Sequence, residues 1–306
     1  MKKALLLFSG GLDSILSAKI LEQQKIKVVP LCFESYFFNC KLAEKSAKAL
    51  RLELKIKDFS QSHLKIIKRP CFGFGSGVNP CIDCHLLMLK KAKEIMGKEG
   101  FDILATGEVL GQRPFSQNQR ALHLIEKEAG LKDQILRPLS AKLLPETTYE
   151  KKGLVKRAKL FGFQGRSRKP QIALAKSFKV KEFPSPAGGC ILTELQYSQK
   201  LKILFKKAPD FDSKDCQILR RGRAFWQKDS LILVGRDEKD NKEIRRLSEK
   251  KKRDIILEPE NFPGPTVLIR GFGKKVQKET IKKARELLLN YSKKLPKTIR
   301  IVLNEV

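Results

Sequence analysis

The sequence has no apolar run that approaches the roughly 20 residues of a membrane-spanning helix. Two lysines precede the short apolar stretch Ala4–Phe8, an order typical of secretory signals. The stretch is too short for a signal peptide, however, and Ser9 with two glycines ends it. We therefore expect a cytoplasmic protein and exclude the secreted and membrane-spanning classes.

Acidic residues are scarce beside basic ones. The chain has 33 Asp and Glu against 64 Lys and Arg, and its formal net charge is +31. The lysine-rich surfaces of thermophilic proteins usually carry matching glutamates, which are missing here. Because uncompensated charge of this size repels itself, a polyanionic partner is expected. Nucleic acid is the first candidate, and an anionic membrane surface is the second.

Histidine is also scarce, and cysteine is present in an odd number. His63, His85 and His123 have neither metal-ligand nor triad spacing, so packing or surface roles are expected for them. Seven cysteines do not make a disulfide framework. In a cytosolic protein the pair Cys81-x-x-Cys84 favours metal or redox chemistry over a structural bridge.

The first half of the chain alternates short apolar runs with helical periodicities. We predict strands at Ala4–Phe8, Val28–Phe33, Leu52–Phe59 and Ile103–Thr106, and helices at Leu12–Gln23, Lys41–Leu50 and Leu86–Met96. Repeated strand–helix units imply an α/β domain with a parallel sheet, typical of nucleotide-binding proteins.

Two Gly- and Pro-rich segments interrupt this pattern. Pro70–Cys81 predicts a long loop of the kind that is often functional. Phe183–Cys190 predicts a boundary, since a more basic part with strands near 231–234 and 267–269 and a helix over 278–294 follows it. We expect domains at 1–195 and 196–306, the second one smaller and of the α+β class.

A glycine-rich hexapeptide stands between the first predicted strand and helix: Ser9, Gly10, Gly11, Leu12, Asp13 and Ser14. Glycines let the backbone approach an anion, and the helix N-terminus favours negative charge. Asp13 is unfavourable against a bare phosphate, so it is expected to hold Mg²⁺ or the turn itself. An ordinary glycine turn is the alternative, and a Walker loop is excluded because Gly-Lys-Ser/Thr is missing.

The complete hexapeptide resembles the loop of the PP-loop ATP pyrophosphatase superfamily, which has a HUP/Rossmann-like fold. The resemblance implies that the loop binds the pyrophosphate of ATP and that AMP is transferred to a carbonyl oxygen. Ala105–Glu108 follows a later strand, where relatives read Thr-Gly-His and hold the adenylate. Thr106 and Gly107 match that motif, whereas Glu108 departs from it.

The segment Asn79-Pro80-Cys81-x-x-Cys84 is similar to the thiouridylase branch of the superfamily, with Cys190 as a distant third cysteine. Two interpretations stay open. Cys81 and Cys190 form a persulfide relay, or Cys81, Cys84 and Cys190 ligate three irons of a 4Fe–4S cluster whose fourth iron binds sulfide. We favour the cluster because a relay does not need Cys84. A zinc site lacks an evident fourth ligand.

The other cysteines carry weaker signals. Cys32 lies in an apolar strand and is expected in the core. Cys216 has no partner near it in the sequence, and Cys71 is ambiguous because it shares a loop with Cys81.

The stretch 104–193 resembles 4-thiouridine synthetases, whose RNA-capture domain precedes the loop and is not seen before residue 9. Residues 196–306 resemble the RNA-binding module of ribosome quality-control factors and are expected to take its place. Basic residues expected to contact RNA are Arg166, Arg168, Lys169, Arg220, Arg221 and Arg223. The segments Arg137–Ser140 and Gly165–Gln171 clamp ATP phosphates or RNA, or are solvated loops. Trp226 is a stacking platform or a core residue.

Together the resemblances imply an ATP-dependent tRNA sulfurtransferase that adenylates a uridine and replaces its carbonyl oxygen with sulfur. Asp13, Cys81 and Cys190 are its expected catalytic residues. Expected cofactors are ATP, Mg²⁺ and a 4Fe–4S cluster. Expected partners are tRNA and a sulfur donor, either sulfide or a persulfide carrier such as a cysteine desulfurase, without a membrane partner. The alternatives are a synthetase acting on a small-molecule carbonyl, such as a thiamine or deazapurine precursor, and a non-catalytic RNA-binding factor.

Overall fold

A computed structural model describes residues 1–180, 182–183 and 190–306 of the chain. The chain divides into two compact units, Met1–Thr193 and Glu194–Val306. No helix among the described residues is long and apolar enough to cross a membrane.

The N-terminal unit is an α/β domain. Its elements are β1 Lys3–Leu7, α1 Leu12–Glu22, β2 Lys27–Glu34, α2 Lys41–Leu50, β3 Lys55–Asp58, α3 Ser60–Lys68, α4 Cys81–Glu99, β4 Ile103–Thr106, α5 Gln119–Ala129, α6 Thr148–Lys151 and α7 Lys169–Ser177. The strands form a four-stranded sheet in the order β3-β2-β1-β4 with every pair parallel. This confirms the predicted parallel sheet.

Alternating side chains of the sheet enter two cores, one on each face. Ala4 and Leu6 of β1 lie in the core under α1, α2 and α7, whereas Leu5 lies in the core under α4 and α5. A parallel sheet needs such cover on both faces because its crossover helices lie on both sides. Because β1 and β4 are parallel neighbours, their carboxyl ends lie at the same edge of the sheet, where the predicted phosphate loop and Thr106 meet.

Two predicted element boundaries in this unit are wrong. The strand predicted over Leu52–Phe59 is shorter, and Phe59 already precedes α3. The helix predicted over Leu86–Met96 begins at Cys81, directly after the glycine-rich loop. Cys81 and Cys84 therefore lie in the first turn of a long helix.

Cys32 is buried in β2 as expected, but its sulfur is bonded to Cys40, which precedes α2. One such bond is not a disulfide framework, but the sequence did not predict a partner for Cys32. The signal was hidden because Cys40 lies in a connection whose course only the tertiary structure defines.

The C-terminal unit has an antiparallel sheet with helices, as expected for an α+β domain. Its elements are α8 Leu195–Lys207, α9 Ser213–Ile218, β5 Arg223–Gln227, β6 Ser230–Val234, α10 Glu238–Leu247, β7 Ile255–Pro259, β8 Val267–Arg270, α11 Lys278–Asn290 and β9 Ile301–Glu305. The strand order is β5-β6-β8-β7-β9.

A buried arginine holds this unit together beside its apolar core. Arg270 at the end of β8 is fully buried, and its guanidinium donates to Asp215 and Asp254, each at 2.7 Å. A buried charge is tolerated when it is paired and hydrogen-bonded in this way. Arg270 is therefore part of the structure and is not available to RNA.

Candidate functional site

The first strand leads into a glycine-rich turn at the N-terminus of α1. Gly11 is the N-cap residue of α1, and no side chain caps the helix. The uncapped N–H groups and the helix dipole favour an anion at this point. The structure thus brings Ser9, Gly10, Gly11, Asp13 and Ser14 together in one turn that is suited to a phosphate group.

Two glycines make the turn possible. Gly10 has φ +77°, and a Cβ atom there would lie 2.5 Å from the carbonyl oxygen of Leu42. Gly107, after β4, packs so closely that a Cβ atom would lie 2.8 Å from the backbone nitrogen of Ser14. The Thr106–Gly107 segment therefore touches the predicted phosphate loop.

The Asp13 carboxylate is partly buried among polar and basic side chains. Gln112 Nε2 donates to Asp13 Oδ2 at 3.1 Å. Burial raises the pKa of Asp13, and Gln112 and the nearby Arg168 guanidinium partly counteract this rise. Arg168 of the predicted basic loop thus lies close to the phosphate loop.

Several buried polar atoms at this turn have no protein partner. Among the described residues, Asp13 Oδ1 and both amide atoms of Gln171 have no hydrogen bond of good geometry, although the Gln171 amide is close enough to Asp13 to lower the pKa of its carboxyl. Buried polar atoms are almost always hydrogen-bonded in native proteins. Because Gln171 also lies near Asp13, the atoms converge on one place and fit a polar ligand. A carboxylate oxygen such as Asp13 Oδ1 also fits Mg²⁺.

Glu108, which stands where the resemblance led us to expect histidine, is the centre of a buried network. Its carboxylate accepts from Thr106 Oγ1 and Arg137 Nε, each at 3.0 Å, and His85 Nδ1 lies 3.0 Å from it. Arg137 also pairs with Glu126. Because His85 belongs to α4, Glu108 ties the helix that carries Cys81 and Cys84 to the end of β4.

The charges of this network reinforce one another. Burial alone would raise the pKa of Glu108, but Arg137 and His85 lower it to about 2. The two carboxylates in turn raise the pKa of Arg137 against the effect of its burial. Arg137 is only 2% exposed, so the solvated-loop alternative is wrong for this residue. His85 has the kind of packing role that was expected for it, as the partner of Glu108.

The three predicted sulfur residues share one region. Cys81 and Cys84 lie one turn apart in α4, and Cys190 is near enough to raise the pKa of Cys84. Burial is the largest cause of that rise and also raises the pKa of Cys81. The backbone nitrogen of Val78 donates to Leu192 O at 3.1 Å, which ties the Gly-rich loop to the segment after Cys190.

Proximity of the thiols is not yet a metal site. Within residues 1–180, 182–183 and 190–306, no three metal-ligating side chains are close enough together to hold an ion. Thiols are the donors that an iron–sulfur cluster takes, and its cysteines bind different irons, so they need not be as close together as the ligands of a single ion. The Pro186–Gly189 part of the predicted Cys190 loop lies outside the described residues.

Cys71 is exposed at the start of the same Gly-rich loop. The Asp83 carboxylate accepts from the backbone nitrogens of Cys71 and Phe72 at 2.9 and 3.1 Å. Asp83 therefore anchors the loop to the first turn of α4, which explains a buried acid between two cysteines.

A segment that the sequence analysis missed joins the phosphate loop to the thiols. We call Gly111–Gln117 the bridging segment. Its Gln112 donates a hydrogen bond to Asp13. Its Phe115 ring packs so closely on Gly75, in the loop before Cys81, that a Cβ atom there would lie 2.8 Å from the ring. The charge of its Arg113 lowers the pKa of both Asp13 and Cys81. A Gly-Gln-Arg string after a strand carried no recognised motif, so contacts alone reveal it.

A family model covers the phosphate loop, the bridging segment and the helix of Cys81 and Cys84. A model described as "Thiamine biosynthesis protein (ThiI)" matches residues 1–182. The chain belongs to the ThiI family. A second model, described as "NFACT protein RNA binding domain", matches residues 222–305 and confirms the expected C-terminal RNA-binding module.

Curated relatives of the ThiI-family chain include two bacterial proteins named "Probable tRNA sulfurtransferase". The one from Alkaliphilus metalliredigens is 31% identical over 147 residues, and the one from Finegoldia magna is 31% identical over 144 residues. Each match covers 45% of this chain and 36% of the relative. The chain thus spans about a third of the length of these relatives.

Two solved structures are similar to the ThiI-family chain at low TM-scores. A predicted subunit of a tRNA methyltransferase from Methanocaldococcus jannaschii has a TM-score of 0.42 and 21% identity, covering 69% of this chain and 91% of that one. A 4-thiouridine synthetase–RNA complex with bound ATP has a TM-score of 0.39 and 23% identity, covering 68% and 53%. Likeness at this level carries no information about activity.

The ThiI match ends before Cys190, so the family assignment does not extend to that thiol. It does include the basic loop of Arg166, Arg168 and Lys169, which leads into α7. Arg166 and Arg168 are loop residues, and Lys169 begins the helix. Arg168 lies close enough to Asp13 to lower its pKa.

The predicted RNA-binding arginines of the second unit lie at and before β5, an edge strand. The Arg223 guanidinium lies 4.6 Å from the ring centroid of Tyr291, and Arg221 pairs with Glu243 at 3.6 Å. Trp226 stacks on Phe272 at 5.7 Å, with Lys207 Nζ 5.9 Å from its ring. This half-buried mixture of aromatic rings and cations is typical of surfaces that bind unpaired nucleotides.

Proposed function

We propose that this ThiI-family chain is an ATP-dependent tRNA sulfurtransferase that converts a uridine carbonyl to a thiocarbonyl. The observation that carries the proposal is the bridging segment, which connects a phosphate-binding turn with unsatisfied polar atoms to a group of three thiols. The match to an RNA-binding domain supports RNA as the substrate class.

ATP would occupy the turn at the N-terminus of α1. The N–H groups of the turn and Arg168 stabilise phosphate charge, and Asp13 Oδ1 would hold Mg²⁺, which would screen the phosphates. The uridine carbonyl oxygen attacks the α-phosphorus, and pyrophosphate leaves. The Gly107 backbone, in contact with Ser14, keeps the adenylate beside the loop.

Hydrosulfide, or the outer sulfur of a persulfide on Cys81, then attacks the activated ring carbon, and AMP leaves with the former carbonyl oxygen. With hydrosulfide, loss of the S–H proton leaves the thiocarbonyl. With a persulfide, the Cys190 thiolate attacks the Cys81 sulfur, which breaks the S–S bond, releases the thiouridine and forms a Cys81–Cys190 disulfide that an external thiol reduces. The reacting uridine must be unstacked first, because a paired base hides this carbon. Sulfur arrives from the side of Cys81. Arg113 lies close enough to both Cys81 and Asp13 to lower the pKa of each. The chain's own contribution is therefore to bind both reactants and to bring the sulfur residues to the activated carbon.

For sulfur delivery we keep the 4Fe–4S cluster on Cys81, Cys84 and Cys190 as the proposal to be tested. Its support is that both other thiols act on the pKa of Cys84. A persulfide relay through Cys81 and Cys190 is the second candidate. It needs only these two thiols, and Cys84 has no role in it.

Protein purified without oxygen separates these routes. The cluster predicts iron and acid-labile sulfide, and loss of both iron and thiolation in Cys84→Ala. The relay predicts no iron and retained activity in Cys84→Ala, with activity lost in Cys81→Ala and Cys190→Ala. Cys216→Ala is the matched control, because this buried cysteine belongs to the other unit. Full activity of Cys84→Ala would refute the cluster proposal.

The function itself is tested on tRNA. Mass spectrometry of tRNA nucleosides from a strain that lacks the gene should show a missing thiouridine, and purified protein with ATP, Mg²⁺ and a sulfur source should restore it. Unchanged thiouridine in the deletion strain together with ATP turnover on a thiamine or deazapurine precursor would replace the tRNA proposal with the small-molecule alternative.

A further inference from the structure

A cavity of about 540 Å³ lies in the N-terminal unit beside α5, away from the residues of the phosphate loop. Its walls come from α5, from residues 132–137 and from residues 141–150. This volume is within the range of small-molecule sites, roughly 300–1,000 Å³. The proposed thiolation reaction uses none of the residues that open onto it except through Arg137.

Arg137 is the reason to expect a ligand there. It lines the cavity and is 2% exposed. Its Nε and Nη1 are bonded to Glu108 and Glu126, but Nη2 has no hydrogen-bond partner among the described residues. A buried charged donor without a partner is costly. Nη2 is itself buried, so a ligand oxygen in the cavity would complete its bonding once the guanidinium turns towards the cavity.

The remaining charges leave the cavity basic on its open side. Of its acidic groups, Glu126 is engaged by Arg137, and Glu150 is engaged by Arg157. Asp133 is the remaining acid. Arg120 and Lys132 are exposed at the cavity and form no ion pair with any described residue. Two free cations at the opening of a cavity are suited to a phosphate group.

The inner wall has a different character. Leu122, Ile135 and Ala141 are buried there, and Leu144 and Pro145 continue the apolar surface. A flat heterocycle fits such a wall, and its carbonyl would meet the free Nη2 of Arg137. One ligand class has an apolar ring with carbonyl oxygens at one end and a phosphate at the other.

We propose that this cavity binds a single nucleotide, with its base against the Leu122–Ile135 wall, a base oxygen on Arg137 Nη2 and its phosphate between Arg120 and Lys132. The nucleotide is either free in solution or one residue of an RNA chain, and the chemistry of recognition is the same. A ligand on Arg137 would be linked to the thiolation site by two further contacts. Arg137 Nε donates to Glu108, and Glu108 pairs with His85 on the helix of Cys81 and Cys84. The site does not depend on the proposed sulfurtransferase activity.

Uridine 5′-monophosphate and tRNA are the probes. Full-length protein saturated with a non-hydrolysable ATP analogue is titrated with each probe by calorimetry or filter binding. The test variant is Arg120→Glu with Lys132→Glu. The matched control is Lys127→Glu with Lys152→Glu, which makes the same charge change at exposed residues that do not line the cavity.

A free-nucleotide site predicts that the test variant binds the monophosphate at least tenfold more weakly than wild type, whereas its tRNA affinity matches that of the control. An RNA site predicts a tRNA affinity at least tenfold below that of the control variant, and competition between the monophosphate and tRNA in the wild type. Equal binding of both probes by the test and control variants would overturn the proposal. Pyrophosphate release, measured in parallel, reports on the thiolation site separately.

Discussion

Removal of the Glu108 charge is expected to destabilise the N-terminal unit strongly. In Glu108→Gln the buried Arg137 loses one of its two carboxylates, and His85 loses its partner. The pKa of Glu108 is lowered from its ordinary value of 4.5 to about 2. At about 1.36 kcal/mol per unit, this shift corresponds to about 3 kcal/mol of stability at neutral pH. That agrees with the roughly 3–5 kcal/mol expected for breaking a buried pair.

The pH dependence gives the sharper test. A carboxyl group with a lowered pKa in the folded state contributes its stability above the unfolded value, near 4.5, and loses it as the pH falls towards 2. Wild-type protein should therefore lose about 3 kcal/mol from this group between those limits, and Glu108→Gln should lack that component. Its melting temperature at pH 7 should fall by roughly 6–12 °C, at about 2–4 °C per kcal/mol for a unit of this size.

Calorimetric melts from pH 7 down to pH 2 would measure both effects. The matched control is Glu22→Gln, which removes a carboxylate from the more exposed Lys19–Glu22 pair and should cost less than about 1 kcal/mol. If Glu108→Gln melts within 2 °C of this control at pH 7, the network does not carry the stability assigned to it.

Three further predictions concern ligands. Asp13→Asn should lose pyrophosphate release while keeping the wild-type melting temperature, because asparagine has the same shape and keeps an oxygen that accepts from Gln112 but lacks the negative charge; release at the wild-type rate would refute this role. Gln112→Ala should slow the same reaction less than Asp13→Asn does, since it removes one hydrogen bond to Asp13, and a larger loss would assign Gln112 a direct contact with ATP. Arg220→Ala and Arg223→Ala should each reduce by about 0.7–0.9 the magnitude of the slope of log K for tRNA binding against log salt concentration. Lys55→Ala is the control, and unchanged slopes would place the RNA contacts elsewhere.

The sequence by itself determined the class of the N-terminal fold. Alternating apolar runs and helical periods predict parallel strands with covering helices, because buried strands and amphipathic helices have different periods that survive without tertiary contacts. The phosphate loop was equally visible, since glycine is required wherever the backbone must reach φ +77° or pack within 3 Å of another chain segment.

The tertiary structure alone decided how distant residues combine. Nothing near Glu108 in the sequence indicates that it bonds His85, Arg137 and Thr106 at once, and the Cys32–Cys40 bond was unexpected for the same reason. Arg137 looked like a surface cation because a local pattern shows the charge of a residue but not its burial. Burial, pairing and the free Nη2 beside a cavity arise from contacts between segments that are far apart along the chain, and only the folded chain brings these together.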